Sequence, residues 1–232
     1  MKMIIFSDIH GNQYVFREFL KQIKQIEYNY LIFCGDIFGY YYGQQEIINS
    51  LSQLENLIWL KGNHDDNATK IFFGELEADY FIANYGQSYG SILSNCTNKQ
   101  MKKIKSLPSQ QILNIGTKKI GIYHGTPEDH LNGRLYPKDI YTVANMCNSF
   151  DYLILGHTHF RLDYQIKDTR IINPGSLGQY RDGKGFGYYV LDLDCGNGKY
   201  SDINIDLTEL YAEIDKYDKS LTKLKDVLER RV

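Results

Sequence analysis

Histidines and acids in this chain gather directly after apolar runs. Gly156-His157-Thr158-His159 follows Tyr152-Leu153-Ile154-Leu155, and Ser7-Asp8-Ile9-His10-Gly11-Asn12 follows Ile4-Ile5-Phe6. Gly35-Asp36 follows Leu31-Ile32-Phe33-Cys34, Gly62-Asn63-His64-Asp65 comes just after Leu57-Ile58-Trp59-Leu60, and His124-Gly125 follows Ile120-Gly121-Ile122-Tyr123. Imidazole, carboxylate and amide oxygen without thiolate are the donors that suit Mn, Fe, Ni, Co or Zn, not a structural cysteine site. The chemistry these residues share is the binding of divalent metal ions.

Stepping outward from the donors, each apolar run reads as a fully buried strand. Open α/β sheets place their ligands outside the carboxyl ends of their strands, so five such ends can converge on one cluster. The expected order starts with a strand at about Met3–Ser7, a helix from Asn12 to about Ile26, and a strand at Tyr30–Cys34. A helix over Glu46–Leu54 and a strand over Leu57–Leu60 complete a βαβαβ start with right-handed crossovers. From Asp66 to Pro108 the pattern weakens: Phe72-Phe73, Tyr80-Phe81 and Tyr85 read as core or pocket wall, and Ser91–Ser106 as one basic helix. Strands over Gln111–Ile115 and Lys119–Tyr123, a helix over Asp139–Cys147, and hairpins over Phe160–Ile172 and Gly187–Ile205 follow. The fold class is α/β, with two mixed β-sheets packed face to face and flanking helices.

The last segment reads as one helix from Thr208 to Arg230. Leu207, Ile214, Leu221 and Leu228 recur every seven residues, with Leu210, Tyr217 and Leu224 offset by three. A stripe of about three heptads fits either a helix packed on its own domain or a homodimer contact. The division expected is 1–206 for the main domain and 207–232 for this C-terminal helix.

Composition excludes several classes. With 43% hydrophobic and 23% charged residues the chain is globular, and a net charge of −2 argues against an extended nucleic-acid surface. Cys34, Cys96, Cys147 and Cys195 form no C-x-x-C pair, which suits reduced thiols and a cytoplasmic location. No run approaches the roughly 18 apolar residues of a membrane span, and Met1–Phe6 is too short for a signal peptide.

Taken together, Asp8-x-His10, Gly35-Asp36, Gly62-Asn63-His64-Asp65, His124-Gly125 and Gly156-His157-Thr158-His159 resemble the calcineurin-like metallophosphoesterase superfamily. Asp8-Ile9-His10-Gly11-Asn12, Asn173-Pro174-Gly175-Ser176 and Arg181-Asp182-Gly183 are similar to the small YfcE-type phosphodiesterases. The resemblance implies a four-layer sandwich and two divalent metal ions, with manganese favoured. Asp8, His10 and His159 would hold the first ion, Asn63, His124 and His157 the second, and Asp36 would bridge them. Two ions with a bridging hydroxide leave the site at about +1, which attracts a phosphate ester and supports in-line displacement without a serine or cysteine nucleophile. His64 would be the catalytic residue, protonating the leaving oxygen or steadying the phosphoryl group with a pKa near neutrality.

The Gly35-Asp36-Ile37-Phe38-Gly39-Tyr40 block lacks the Asp and Arg with which the Ser/Thr protein phosphatase branch orients its histidine and grips phosphate. Without that clamp a dianionic monoester loses an anchor, so a phosphodiester or nucleotide substrate is expected. The alternatives are a phosphomonoesterase, a dinucleoside polyphosphate hydrolase, and a metal-binding protein-interaction scaffold. Asn12, Asn173, Ser176 and Arg181 are candidates for support of the site or for substrate contact, and Arg134 could also reach phosphate. Asp65 and Asp66 read as a helix start, and Cys34 as core.

Overall fold

The computed structural model describes residues 1–143 and 149–229, with backbone alone for 142 and 143. The first sheet has the order β10-β9-β1-β2-β3, and the second has β4-β5-β6-β8-β7. In the first, β1 (Lys2–Phe6), β2 (Tyr30–Phe33) and β3 (Leu57–Trp59) run parallel, with Ile4 opposite Leu31 and Ile32 opposite Ile58. The hairpin of β9 (Phe186–Asp192) and β10 (Gly198–Ile203) adds antiparallel to β1. In the second, β5 (Lys118–Tyr123), β6 (Tyr152–Ile154) and β8 (Thr169–Asn173) are parallel, flanked by antiparallel β4 (Gln110–Ile115) and β7 (Leu162–Ile166).

Alternation along the strands sorts the core into layers. Met3 and Ile5 of β1, with Ile32, Ile120, Ile122, Ile154 and Ile172, fill the space between the sheets. Ile4, Phe6, Leu31 and Phe33 point the other way, under α1 (Gln13–Ile23) and α2 (Gln44–Leu51). Val15, Phe16, Phe19 and Ile23 form the buried face of α1 at helical spacing, and Asn12 Oδ1 accepts the Val15 N–H at 3.2 Å to cap its start. Leu135, Ile140, Leu153, Leu162 and Ile171 cover the outer face of the second sheet. The expected helix over Asp139–Cys147 is a 3₁₀ helix over Pro137–Val143, and the remainder of that expectation lies outside the described residues.

Between β3 and β4 lie α3 (Asn63–Phe72), α4 (Asp79–Tyr85), α5 (Gln87–Gly90), α6 (Ile92–Asn95) and α7 (Asn98–Ser106). The single helix expected over Ser91–Ser106 is thus two. Thr97 lies in extended backbone, its side chain accepts the Gln100 N–H, and Gln100 Oε1 accepts the Thr97 N–H at 2.8 Å. That reciprocal cap starts a new helix and stops the old one.

The C-terminal segment departs from expectation in the same way. Instead of one helix from Thr208 to Arg230 there are α8 (Thr208–Tyr217), α9 (Lys223–Asp226) and a 3₁₀ turn over Val227–Glu229. Asp218 breaks the run because its carboxylate accepts the Tyr42 hydroxyl at 2.6 Å and the Gln87 N–H at 2.9 Å. Leu210, Ile214, Leu224 and Leu228 are buried in the layer that holds α1 and α2, and the Tyr41 and Tyr180 hydroxyls donate to the Leu224 and Leu228 carbonyls. Among the described residues the leucines of the stripe pack within their own chain, and Tyr217 stays exposed.

Candidate metal centre and active site

The strand ends that carry donors all open on one edge of the sandwich. Asp8 and His10 follow β1, Asp36 follows β2, Asn63 and His64 begin α3 after β3, His124 follows β5, and His157 and His159 follow β6. Five of these residues sit in left-handed backbone: Asp8 (φ 55°), His10 (49°), Asp36 (69°), His157 (65°) and His159 (61°). Such conformations cost of order 1 kcal/mol or more for a residue with a Cβ and persist where surrounding bonds over-determine them.

Those bonds are in place. The Asp8 N–H donates to the Gly35 carbonyl at 2.9 Å, and the Ile9 and His10 N–H groups both donate to the Asp36 carbonyl. Asp65, wholly buried, accepts four backbone N–H groups: Asp36 and Gly62 on Oδ2, Ile37 and Phe38 on Oδ1. Its carboxylate folds the Asp36 loop around itself. Gly62 must be small here, since a Cβ would lie 2.0 Å from Asp36 Oδ1.

The imidazoles are fixed by their second nitrogens. His10 Nδ1 lies 2.7 Å from the Phe38 carbonyl, His124 Nδ1 2.8 Å from that of Cys34, and His159 Nδ1 2.5 Å from that of Gln179. A carbonyl only accepts, so each Nδ1 carries the proton and each Nε2 presents a lone pair, the arrangement of a metal-ligating histidine. Those lone pairs face other acceptors. His10 Nε2 and His159 Nε2 are 3.0 Å apart, and His124 Nε2 is 3.0 Å from Asn63 Oδ1.

Carboxylates complete three groups. Asp8, His10 and His159 present donor atoms within 4.8 Å of one another, as do Asp36, His124 and His157, and His10, Asp36 and His64. Asp36 Oδ2 lies 3.3 Å from His124 Nε2 and 3.9 Å from His10 Nε2, between the groups. Asp8 Oδ1 and Asp36 Oδ2 are buried and accept no hydrogen bond. Buried charged oxygens without partners are expensive, and cations resolve them and the facing lone pairs together. The donor set therefore fits divalent metal binding, with Asp36 lying between the groups.

Electrostatics favour the neutral ring at three of the four candidate ligand histidines, His10, His157 and His159. Burial and the neighbouring His159 push His10 well below the ordinary imidazole value; burial and His124 push His157 down to about 3. His159 is lowered chiefly by burial and the charge of Arg181. His124 is the exception: burial opposes its charging, but Asp36 and Asp8 prevail and raise it to about 9. Both carboxylates, despite burial, are held below the usual range by adjacent histidines, His159 for Asp8 and His124 for Asp36.

His64 lies beside this cluster, its backbone N–H donating to Asp36 Oδ1 at 2.8 Å and its ring 5.0 Å from that of His10. Burial lowers it to about 4, so the near-neutral pKa expected from the sequence is not what this environment produces. Its Nδ1 is 2.7 Å from the Tyr89 hydroxyl, a partner that the sequence reading did not single out. Helix α5 brings that tyrosine back under His64 from the segment least legible in sequence.

Of the supporting candidates, three brace the site from behind. Asn12 caps α1 and donates from Nδ2 to the Gly178 carbonyl at 3.1 Å. Asn173 donates to the Gly156 carbonyl at 2.8 Å, and Ser176 donates to the Asp8 carbonyl at 2.7 Å. Arg181 instead stands beside the cluster, donating to the Tyr40 hydroxyl at 2.9 Å and to Gln179 Oε1 at 3.3 Å. Arg134 donates from Nε to His157 Nε2 at 3.2 Å on the opposite flank. Cys34 is wholly buried, as a core residue.

Two mixed five-stranded sheets with a cluster of nitrogen and oxygen donors at their strand ends define a metallophosphoesterase fold. A sequence model of the calcineurin-like phosphoesterase superfamily domain matches residues 1–196, and the chain belongs to that superfamily. Its relatives include the uncharacterised protein MJ0912 of Methanocaldococcus jannaschii, 28% identical over 91% of each chain. Among solved structures, protein PH1004 of Pyrococcus horikoshii superposes with a TM-score of 0.81 at 16% identity, covering 100% of this chain and 99% of its own. A metallophosphoesterase of Sphaerobacter thermophilus gives 0.76 at 22% identity, covering 98% and 99%. The YfcE phosphoesterase of E. coli gives 0.54 at 19% identity, covering 88% of this chain and 100% of its own. At these identities the structural likenesses establish the fold.

Proposed function

We propose that this protein hydrolyses phosphate esters, with diesters preferred, using two divalent cations held by Asp8, His10, Asp36, Asn63, His124, His157 and His159. The observation that carries the reading is the pair of buried, partnerless oxygens, Asp8 Oδ1 and Asp36 Oδ2, surrounded by imidazole lone pairs. When bound, two such cations supply positive charge for the phosphoryl oxygens and make water nucleophilic near neutral pH. Manganese is the ion we favour.

The chain's own residues do the rest. His64 is neutral in this setting, so it acts by donating a hydrogen bond and not as an imidazolium. With the Tyr89 hydroxyl as donor to His64 Nδ1, 2.7 Å away, Nε2 keeps the ring proton for the phosphoryl or leaving oxygen. Arg134 and Arg181 flank the cluster and steady the negative charge of the ester from its two sides. No acid–arginine clamp extends the Gly35-Asp36 block, which favours a diester over a dianionic monoester. Among the described residues, the thiols of Cys34, Cys96 and Cys195 are free, in keeping with a cytoplasmic enzyme.

The test is parallel turnover of bis-p-nitrophenyl phosphate and p-nitrophenyl phosphate by the manganese-loaded protein. Faster hydrolysis of the diester, lost in His64→Ala, is the expected result. Monoester preference would move the assignment to a phosphomonoesterase, and no turnover of either substrate despite bound metal would overturn the reading.

A further inference from the structure

Beside the donor cluster, on the side of His10 and His64, lies a cavity of about 340 Å³ whose walls come from four separate parts of the chain. Tyr40 enters from the loop after β2, Asn84 and Tyr85 from α4, and Lys223 from α9; Arg181 closes the remaining side. Two of its wall residues, Tyr40 and Tyr85, also touch the histidines of the site. The Tyr40 ring meets the His10 ring edge-on at 4.7 Å, and the Tyr85 ring meets that of His64 at 4.8 Å. Tyr40 is held in left-handed backbone at φ 56°, as the ligands are.

The charge of this cavity is one-sided. Two cations line it and no carboxylate does. Arg181 spends its contacts on neutral acceptors, Tyr40 and Gln179, and among the described residues neither Arg181 nor Lys223 pairs with an acid. Three of the other four described arginines do: Arg17 on Glu46, Arg161 on Asp202 and Arg170 on Asp163. A planar guanidinium and an ammonium without counter-ions, facing a space walled by two phenol rings, match a ligand that is anionic and flat.

We propose that this cavity receives the organic arm of the substrate, and that the arm carries a second anionic group together with an aromatic ring, as in a nucleotide with two linked phosphates. The inference rests on the phosphoesterase reading of the adjoining site and deepens it. One phosphate occupies the donor cluster, the second lies between Arg181 and Lys223, and the base packs against Tyr40 and Tyr85. The break in the C-terminal helix at Asp218 is what brings α9 and Lys223 to this rim.

Calorimetric titration of the manganese-loaded protein with three non-hydrolysable or inert probes separates the elements. Inorganic phosphate engages the donor cluster alone, methylenediphosphonate adds the second anion, and α,β-methylene-ADP adds the ring. Each addition is expected to tighten binding about tenfold. Lys223→Gln, a change at an exposed position, should erase the gain between the first two probes, and Tyr85→Leu the gain between the last two. Equal affinity for phosphate and methylenediphosphonate, or gains that survive in both variants, would overturn the proposal. Failure to hydrolyse bis-p-nitrophenyl phosphate would instead remove the reading of the adjoining site, and the titration remains readable in that case.

Discussion

Asp65 Oδ2 accepts the backbone N–H of Asp36 at 2.9 Å, while the Asp36 side chain turns away toward His124 and His10. One acid thus shapes the loop that aims another. Burial and the charge of Asp36 push Asp65 up to about 7, against the pull of its backbone donors. Asp65→Asn keeps the volume but replaces one acceptor oxygen with an NH₂ group that confronts backbone N–H groups. We expect a loss of about 1–3 kcal/mol in stability and about 10–100-fold in metal affinity. Denaturant unfolding and metal titration of the variant check both; unchanged metal affinity would show that the loop holds itself.

His64→Ala should retain metal and lose turnover by about 10²–10⁴-fold. Tyr89→Phe isolates the positioning role, because it removes only the hydroxyl 2.7 Å from His64 Nδ1. Its kcat should fall about tenfold or more, with KM and metal content near those of the parent. An equal fall in metal content would place Tyr89 in the packing of the site and not in the orientation of His64.

Divalent metal should stabilise the folded chain, since the donors converge only when it is folded. At about 100 times the dissociation constant the linkage is worth about 2.7 kcal/mol, or about 5–10 °C in melting temperature for a chain of this size. Asp36→Ala, which removes the shared carboxylate, should abolish most of that rise in a thermal melt with and without manganese. An identical rise in the variant would put the ions elsewhere.

Away from the site, Asp163 receives Arg170 Nε at 2.7 Å and Nη2 at 2.9 Å, with the Tyr189 hydroxyl at 2.5 Å. Burial raises its pKa, but the hydrogen bonds from Arg170 and Tyr189 outweigh that and hold it below the usual carboxylate value. Its contribution is therefore complete above about pH 4, the unfolded value, and is lost as pH falls through the lower folded value. Unfolding measured across the acid range should show a shallower loss of stability in Asp163→Asn than in the parent. Parallel curves would assign acid sensitivity to other carboxylates.

The strands and the donors were legible for a shared reason. A parallel strand buried on both faces is a continuous apolar run, and the groups just past its end, Asp8, Asp36 and His157, are types that packing has no use for. What escaped was every role carried by an ordinary residue in an ordinary place. Asp65 looks like the acid that belongs in a helix's first turn, and only the coordinates reveal four N–H groups around it. Asn12, Asn173 and Ser176, candidates for support of the site or for substrate contact, hydrogen-bond to backbone carbonyls of the loops around the donors. The pKa of His64 depends on burial by Tyr40, Tyr85 and Tyr89, residues distant in sequence. The heptad stripe predicted one long helix because periodicity cannot register the side chain of Asp218 reaching Tyr42.

The left-handed backbone at positions 8, 10, 36, 157 and 159 has a consequence for how this chain would drift. Glycine at any of them would release roughly a kilocalorie of backbone strain while deleting a donor. It would also strip a buried partner from the fold, as at His10 and His159, whose rings serve the Phe38 and Gln179 carbonyls. The two effects oppose each other, so drift at these turns changes metal binding far more than it changes stability.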